Sequence, residues 1–242
     1  KFYQEVTGRE PDTAFYIPDR YTEGYGISFK GIDFATENGY SLIIAIDCGI
    51  KAVDKIAYAR EKKIDFIVCD HHLPGDELPP AVAVLDPKQN GCEYPFKELS
   101  GCGVAFKLAQ AIAIHHEKSF DCLTEYLDLV ALSIAADIVP MVGENRVLAF
   151  SGLKKINESP RAGIRALKTV GGLRNQINSG DLVFVIAPRI NAAGRIDSGR
   201  KAVELLLCED EKQAAQASSS INEDNTTRKG LDISITRQAI EM

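Results

Sequence analysis

Three short apolar runs, residues 41–46, 64–69 and 81–85, each stop at an aspartate: Asp47, Asp70 and Asp86. They are too short for helices and rich in β-branched and aromatic residues, so they read as strands, the first two as buried strands of a parallel sheet. The amphipathic stretch 51–62 completes a strand, helix, strand unit with Asp47 and Asp70 on the same sheet edge. In open α/β sheets ligands bind outside the carboxyl ends of the strands. The expected fold class is therefore α/β, a parallel sheet flanked by helices, with a site around Asp47 and Asp70-His71-His72. Adjacent side chains in extended backbone point to opposite sides, so His71 and His72 are not expected to serve one ion together. One would ligate while the other meets substrate.

Residues 13–17 read as a further strand, followed by a surface loop of glycines, tyrosines and mixed charges over 18–26. Ser28 is placed to cap a helix that Asn38-Gly39 ends. Beyond Asp86 an irregular stretch, 88–100, leads to Gly101-Cys102-Gly103 and a helix over 104–117. A second helix spans 121–136 and is almost wholly apolar from Leu127 on, so it is expected to be buried on most sides. It ends at Asp137. A carboxylate directly after a buried helix is costly unless something positive meets it, and a metal ion is a reasonable partner. Helices follow around 145–156 and 160–169, then a turn at Gly171-Gly172 and an apolar run over 183–189 interrupted by Pro188. The stretch 209–242 reads as one long polar helix of the kind that bridges two bodies. Residues 1–6 look like the end of a helix already under way, and truncation is expected at both ends.

With 242 residues, 45% of them hydrophobic, the chain can bury a good core. No apolar run approaches the roughly 20 residues that span a bilayer, and no signal-peptide pattern opens the chain, so the expectation is a cytoplasmic protein without a membrane partner. The six cysteines include no CxxC pair and read as reduced, buried thiols. Cys48 and Cys69 lie beside the site, but acids and imidazoles favour a harder cation than thiolate does. A net charge of −6 argues against a protein that coats nucleic acid through overall basicity. A local cationic region remains: residues 161–201 carry eight Lys and Arg against only Asp181 and Asp197.

Asp47, His71 and Asp137 are the residues to bring together. Hard divalent cations such as Mn²⁺ or Mg²⁺ prefer oxygen ligands with some imidazole, and two such ions about 4 Å apart can hold a phosphodiester and activate water for in-line attack. Spacing alone leaves a second possibility open, since acids at strand ends also cap helices and form turns.

Asp70-His71-His72 after an apolar strand, Asp47 in Ile46-Asp47-Cys48-Gly49-Ile50, and Asp137 in Ala136-Asp137-Ile138-Val139-Pro140 resemble the DHH phosphoesterase superfamily. Two further segments, Tyr16-Ile17-Pro18-Asp19-Arg20 with Glu23-Gly24-Tyr25-Gly26, and Pro188-Arg189-Ile190-Asn191-Ala192-Ala193-Gly194-Arg195, are similar to its bacterial single-strand-specific exonucleases. The resemblance implies a partial catalytic domain over 1–199 and the start of a helical interdomain connector over 200–242. It implies catalytic roles for Asp47, Asp70, His71, His72 and Asp137. Asp47 would bridge two ions, His71 and Asp137 would complete one of them, His72 would face the scissile phosphate, and Asp70 would orient the site. Arg189, Asn191 and Arg195 would grip the nucleic-acid backbone.

The implied activity is metal-dependent 5′→3′ hydrolysis of single-stranded DNA in repair and recombination, by a monomer, alongside DNA-repair proteins. The chain departs from the family in having no Asp-x-Asp pair before Thr13. Because divalent affinity tracks ligand number and charge, the chain alone is expected to hold one ion or none, where the intact parent holds two, and to be nearly inactive. The alternatives are a relative acting on short oligonucleotides or cyclic dinucleotides, and a non-catalytic DNA-binding scaffold. Of the remaining clusters, His115-His116 is explained by the helix dipole. Gly101-Cys102-Gly103 reads as a helix start. Tyr21 and Tyr25 could stack on bases, with Tyr16 read as core.

Overall fold

The computed structural model describes residues 1–196 and 199–241, without the side chains of 195 and 196. The side chain of Arg195, and Met242, therefore lie outside the described residues. By packing, the chain divides into two units, 1–152 and 153–242.

The first unit runs through α1 (Phe2–Thr7), α2 (Phe29–Glu37), β1 (Leu42–Ile46), α3 (Val53–Glu61), β2 (Asp65–Cys69), β3 (Ala83–Leu85), α4 (Gly101–His115), a 3₁₀ segment (Phe120–Tyr126), α5 (Leu127–Ala136) and most of α6 (Gly143–Glu158). Its sheet is parallel with order β1-β2-β3. The register pairs Ile46 with Cys69 and Cys69 with Leu85, so the three strands end level. The ladder runs one step further, with Asp47 N–H donating to Cys69 O at 2.8 Å and Asp70 N–H to Leu85 O at 3.0 Å. Asp47, Asp70 and Asp86 thus share the carboxyl edge, as expected from the apolar runs.

Alternation along β2 explains why that strand is apolar throughout. Phe66 and Val68 join Ile32, Ala35, Ile56 and Ala59 in a core under α2 and α3. Ile67 and Cys69 face a second core with Val104, Phe106, Leu123, Val130 and Ile134. Ser28 caps α2, its Oγ accepting Gly31 N–H at 3.0 Å, and Gly39 takes the left-handed conformation just past the helix end.

Several expectations are corrected. Residues 13–17 form no strand. Tyr16 instead packs its ring on Phe34, centroids 5.3 Å apart, and donates its hydroxyl to Glu23 at 2.8 Å. β1 is buried on one face only: it is an edge strand, and Leu42, Ile44 and Ile46 are 44%, 46% and 53% exposed. The third strand contracts to Ala83–Leu85, although Val82 N–H still donates to Phe66 O at 2.9 Å. The helix expected over 121–136 is a 3₁₀ segment followed by α5. α4 begins at Gly101, because Ser100 Oγ accepts Gly103 N–H at 3.2 Å.

The second unit contains α7 (Ala162–Val170), α8 (Ser179–Asp181), a π turn (Leu182–Ile186), α9 (Ala187–Ile196), α10 (Gly199–Leu207) and α11 (Glu211–Glu241). Pro188 has no N–H to continue an α-helical ladder, and the wider π turn before it accommodates the break. Ala214, Ser218, Ile221 and Asn225 form a buried stripe at helical spacing, and α11 packs with α7, α9 and α10. Its polar length is therefore anchored over the first half, while Leu231, Ile233, Ile235 and Ile240 are exposed. The division by role expected at 199/200 falls inside this second unit. Among the described residues no helix is long and apolar enough to cross a membrane.

Candidate metal centre

Asp47, the first residue past β1, has φ +63, a left-handed conformation that non-glycine residues seldom adopt. It stands directly against Gly101, the first residue of α4. A Cβ at 101 would lie 2.2 Å from Asp47 Oδ1 and 2.5 Å from its Cβ, so only glycine leaves room for the carboxylate. So placed, Asp47 Oδ1 is 3.0 Å from His71 Nε2. An imidazole nitrogen and a carboxylate oxygen at that distance either share a proton or direct two lone pairs at one cation. His71 is 9% exposed. Its pKa is raised, chiefly by the hydrogen bond with Asp47 and against the effect of burial, with the negative charges of Asp47 and Asp137 adding to the rise.

Asp70 organises the turn behind these groups. It is 1% exposed, and its carboxylate accepts four hydrogen bonds: Ile50 N–H at 2.9 Å, His71 N–H at 2.8 Å, His72 N–H at 3.3 Å and the His72 ring Nδ1 at 2.7 Å. Burial alone would raise its pKa, but the hydrogen bonds from Ile50, His72 and His71 outweigh it and the net shift is downward. An acceptor at Nδ1 fixes the proton of a neutral His72 on that atom, which leaves Nε2 free at an exposed ring.

Asp47, His71 and His72 each offer a ligand atom within 4.8 Å of the others. The expectation that the two histidines would not serve one ion together rested on alternation along a strand. It assumed extended backbone, and β2 ends at Cys69; beyond it the rings meet edge to face, centroids 4.6 Å apart. Asp137 stands outside that group, yet Asp47 and His71 act on it electrostatically. Crowding by protein atoms raises its pKa first and the charge of Asp47 second, while His71 and Ser133 oppose the rise. The next residue, Ile138, has φ +53, a strained state for a β-branched side chain. Asn145, wholly buried, holds this turn by donating to Pro140 O at 3.1 Å and to Glu98 O. Neither Gly101 nor Asn145 was singled out as a site residue from sequence. The glycine's position at the start of a helix was the available signal, and what it faces is set by tertiary structure.

The loop after residue 16 is built internally. Asp19 Oδ1 accepts from the Tyr21 and Thr22 amides, and Glu23 accepts from Tyr16, Asp19 N–H and Ser28 Oγ, so both acids serve the loop's own structure. Arg20 stacks on the exposed Tyr25 at 4.2 Å. In the second unit, Arg189 Nε donates to Asn222 Oδ1 at 3.0 Å and Nη1 to Val185 O at 2.7 Å, while Asn191 is exposed. The His115 and His116 rings pack edge to face at an exposed helix end.

All six cysteines are free. Burial, reinforced by the charge of Asp70 and, for Cys48, also of Asp47, pushes the Cys48 and Cys69 thiols up to about 11. At pH 8 both are expected to alkylate about two orders of magnitude more slowly than a free thiol, because only the thiolate reacts. Time-resolved mass spectrometry of iodoacetamide-treated native protein measures this, and fast labelling at either position would contradict it.

One carboxylate oxygen and two imidazoles converging at a strand edge, with Asp137 nearby, are a donor set that suits a hard divalent cation. Residues 1–134 match the sequence model of the DHH family, N-terminal domain. The chain is 44% identical over 229 residues to the single-stranded-DNA-specific exonuclease RecJ of Bacillus subtilis, covering 94% of this chain and 28% of that protein. It is 39% identical over 241 residues to the RecJ of Haemophilus influenzae, covering 96% and 42%. The chain therefore spans less than half the length of these relatives. A crystal structure of exonuclease RecJ bound to manganese superposes with a TM-score of 0.81 at 32% identity, covering 92% of this chain and 56% of that one. RecJ of Thermus thermophilus in complex with Mn²⁺ gives 0.77 at 31% identity, covering 88% and 32%.

Proposed function

This chain belongs to the DHH family, and on that premise we propose that it carries part of the catalytic core of a RecJ-type exonuclease, which hydrolyses single-stranded DNA from the 5′ end. The observation that supports this most is the convergence of Asp47 Oδ1 and His71 Nε2 at 3.0 Å beside His72. Asp47 and His71 would hold a Mn²⁺ or Mg²⁺ ion, with Asp137 as a further oxygen donor. The bound ion supplies Lewis-acid polarisation of a phosphodiester oxygen and activation of water. Asp70 keeps the His72 ring oriented with Nε2 outward, where the Nε2–H of the protonated ring can donate to a phosphate oxygen. Arg189, Asn191 and Arg195 are proposed to contact the sugar-phosphate backbone, although two of the Arg189 donors already serve the fold. The same reading makes the protein a cytoplasmic monomer working in DNA repair and recombination.

The test is degradation of end-labelled DNA by the intact gene product. Loss of 5′ label from long single strands with Mn²⁺, its arrest by chelator, and sparing of blunt duplex are expected. Preference for dinucleotides over long strands would instead indicate an oligonucleotide phosphodiesterase. Tight DNA binding without turnover would indicate a scaffold.

A further inference from the structure

Asp86 closes β3 at the same edge and has no part in the site described so far. It is 2% exposed; its Oδ1 accepts Lys88 N–H at 2.7 Å, but its Oδ2 is buried with no hydrogen-bond partner among the described residues. One other buried orphan lies on this edge: Nδ1 of His71, the far side of the ring whose Nε2 meets Asp47. The sheet brings the two residues close. Asp70 N–H donates to Leu85 O, so His71 and Asp86 each follow immediately after one end of the same hydrogen bond. Burial raises the pKa of Asp86, Asp70 adds to the rise, and Lys88 and His71 oppose it.

The two orphans are complementary. If the Nε2 lone pair of His71 is to face a cation, the ring proton sits on Nδ1, which then needs an acceptor. A buried carboxylate oxygen without a donor needs the converse. We propose that Asp86 is the positioning residue for His71, accepting its Nδ1–H directly or across one water and so turning Nε2 toward the ion. A carboxylate behind a metal-ligating histidine fixes tautomer and ring orientation and raises ligand basicity. The assignment rests on the reading of His71 as a ligand.

The experiment pairs two measurements on the intact gene product. Mn²⁺ affinity, followed by electron paramagnetic resonance, is expected to fall about 10–100-fold in Asp86→Ala, the range typical of lost outer partners. Asp86→Asn keeps an acceptor oxygen and is expected to restore most of the loss. Imidazole ¹⁵N resonances of the metal-free protein are expected to show the Nδ1 signal of His71 moving in Asp86→Ala while the His72 ring signals stay in place. Unchanged Mn²⁺ affinity in Asp86→Ala, or an unmoved His71 Nδ1 signal, overturns the proposal. If the unaltered protein binds no Mn²⁺, the ligand reading fails, and the nitrogen resonances alone then decide whether Asp86 holds the ring.

Discussion

Alanine at position 101 is expected to reduce metal-dependent turnover of the intact gene product by about a hundredfold or more, although no chemically active group is removed. The reason is space. The new methyl would stand 2.2 Å from Asp47 Oδ1 and 2.5 Å from Asp47 Cβ. The helix backbone cannot retreat without disturbing the Ser100 cap, so Asp47 must move by about 1 Å, and a misplacement of that size is enough for such a loss. Asp47 is already held in a left-handed conformation and has few ways to give. Gly103→Ala is the control, because its Cβ would meet Ser100 Oγ at 3.3 Å and Leu99 at 3.5 Å, contacts that small shifts relieve. Single-turnover rates of both variants, beside their thermal midpoints, check the expectation. A Gly101→Ala protein with near-normal rate would show that Asp47 need not sit where it does.

The second large effect belongs to Asp70. Removing its carboxylate in Asp70→Ala strands the amides of Ile50, His71 and His72 together with the His72 ring, and is expected to lower stability by about 3–5 kcal/mol. Asp70→Asn keeps the shape but turns an amide donor toward one of the N–H groups, so an intermediate loss of about 1–3 kcal/mol is expected. The pH dependence carries a sign. Because the folded-state pKa of Asp70 lies below its ordinary value, its contribution is present above the ordinary carboxylate range and is lost as pH falls through the lowered one. Urea unfolding of the unaltered protein and Asp70→Asn across that acidic range should show the two curves converging as pH falls. Parallel curves would contradict the assignment.

The sheet edge was legible because strand period, strand length and terminal acids all agreed: Asp47, Asp70 and Asp86 lie where the apolar runs ended. The same local logic stops one step further on. Alternation belongs to a strand and β2 ends at Cys69, beyond which the turn brings His71 and His72 both toward Asp47. Residues 13–17 have strand-like composition, but a strand exists only through its neighbour, and Tyr16 found an aromatic partner instead. Gly101 against Asp47 joins residues 54 positions apart, and no periodicity within either segment reports it. Asp137 was placed correctly after α5. How near it comes to the other two depends on the strained turn at Ile138 and on Asn145, neither of which has a sequence signature.

The half-covered first strand has a practical corollary for handling the molecule. Among the described residues β1 has no strand on its outer side, and an edge strand with three exposed aliphatic side chains is a template on which copies can line up and grow into ordered aggregates. The net charge of −6 keeps copies apart over a reach of about 30 Å at 0.01 M ionic strength and only about 3 Å at 1 M. Dilute buffer should therefore keep the protein dispersed, and concentrated salt should drive it into assemblies that scatter light.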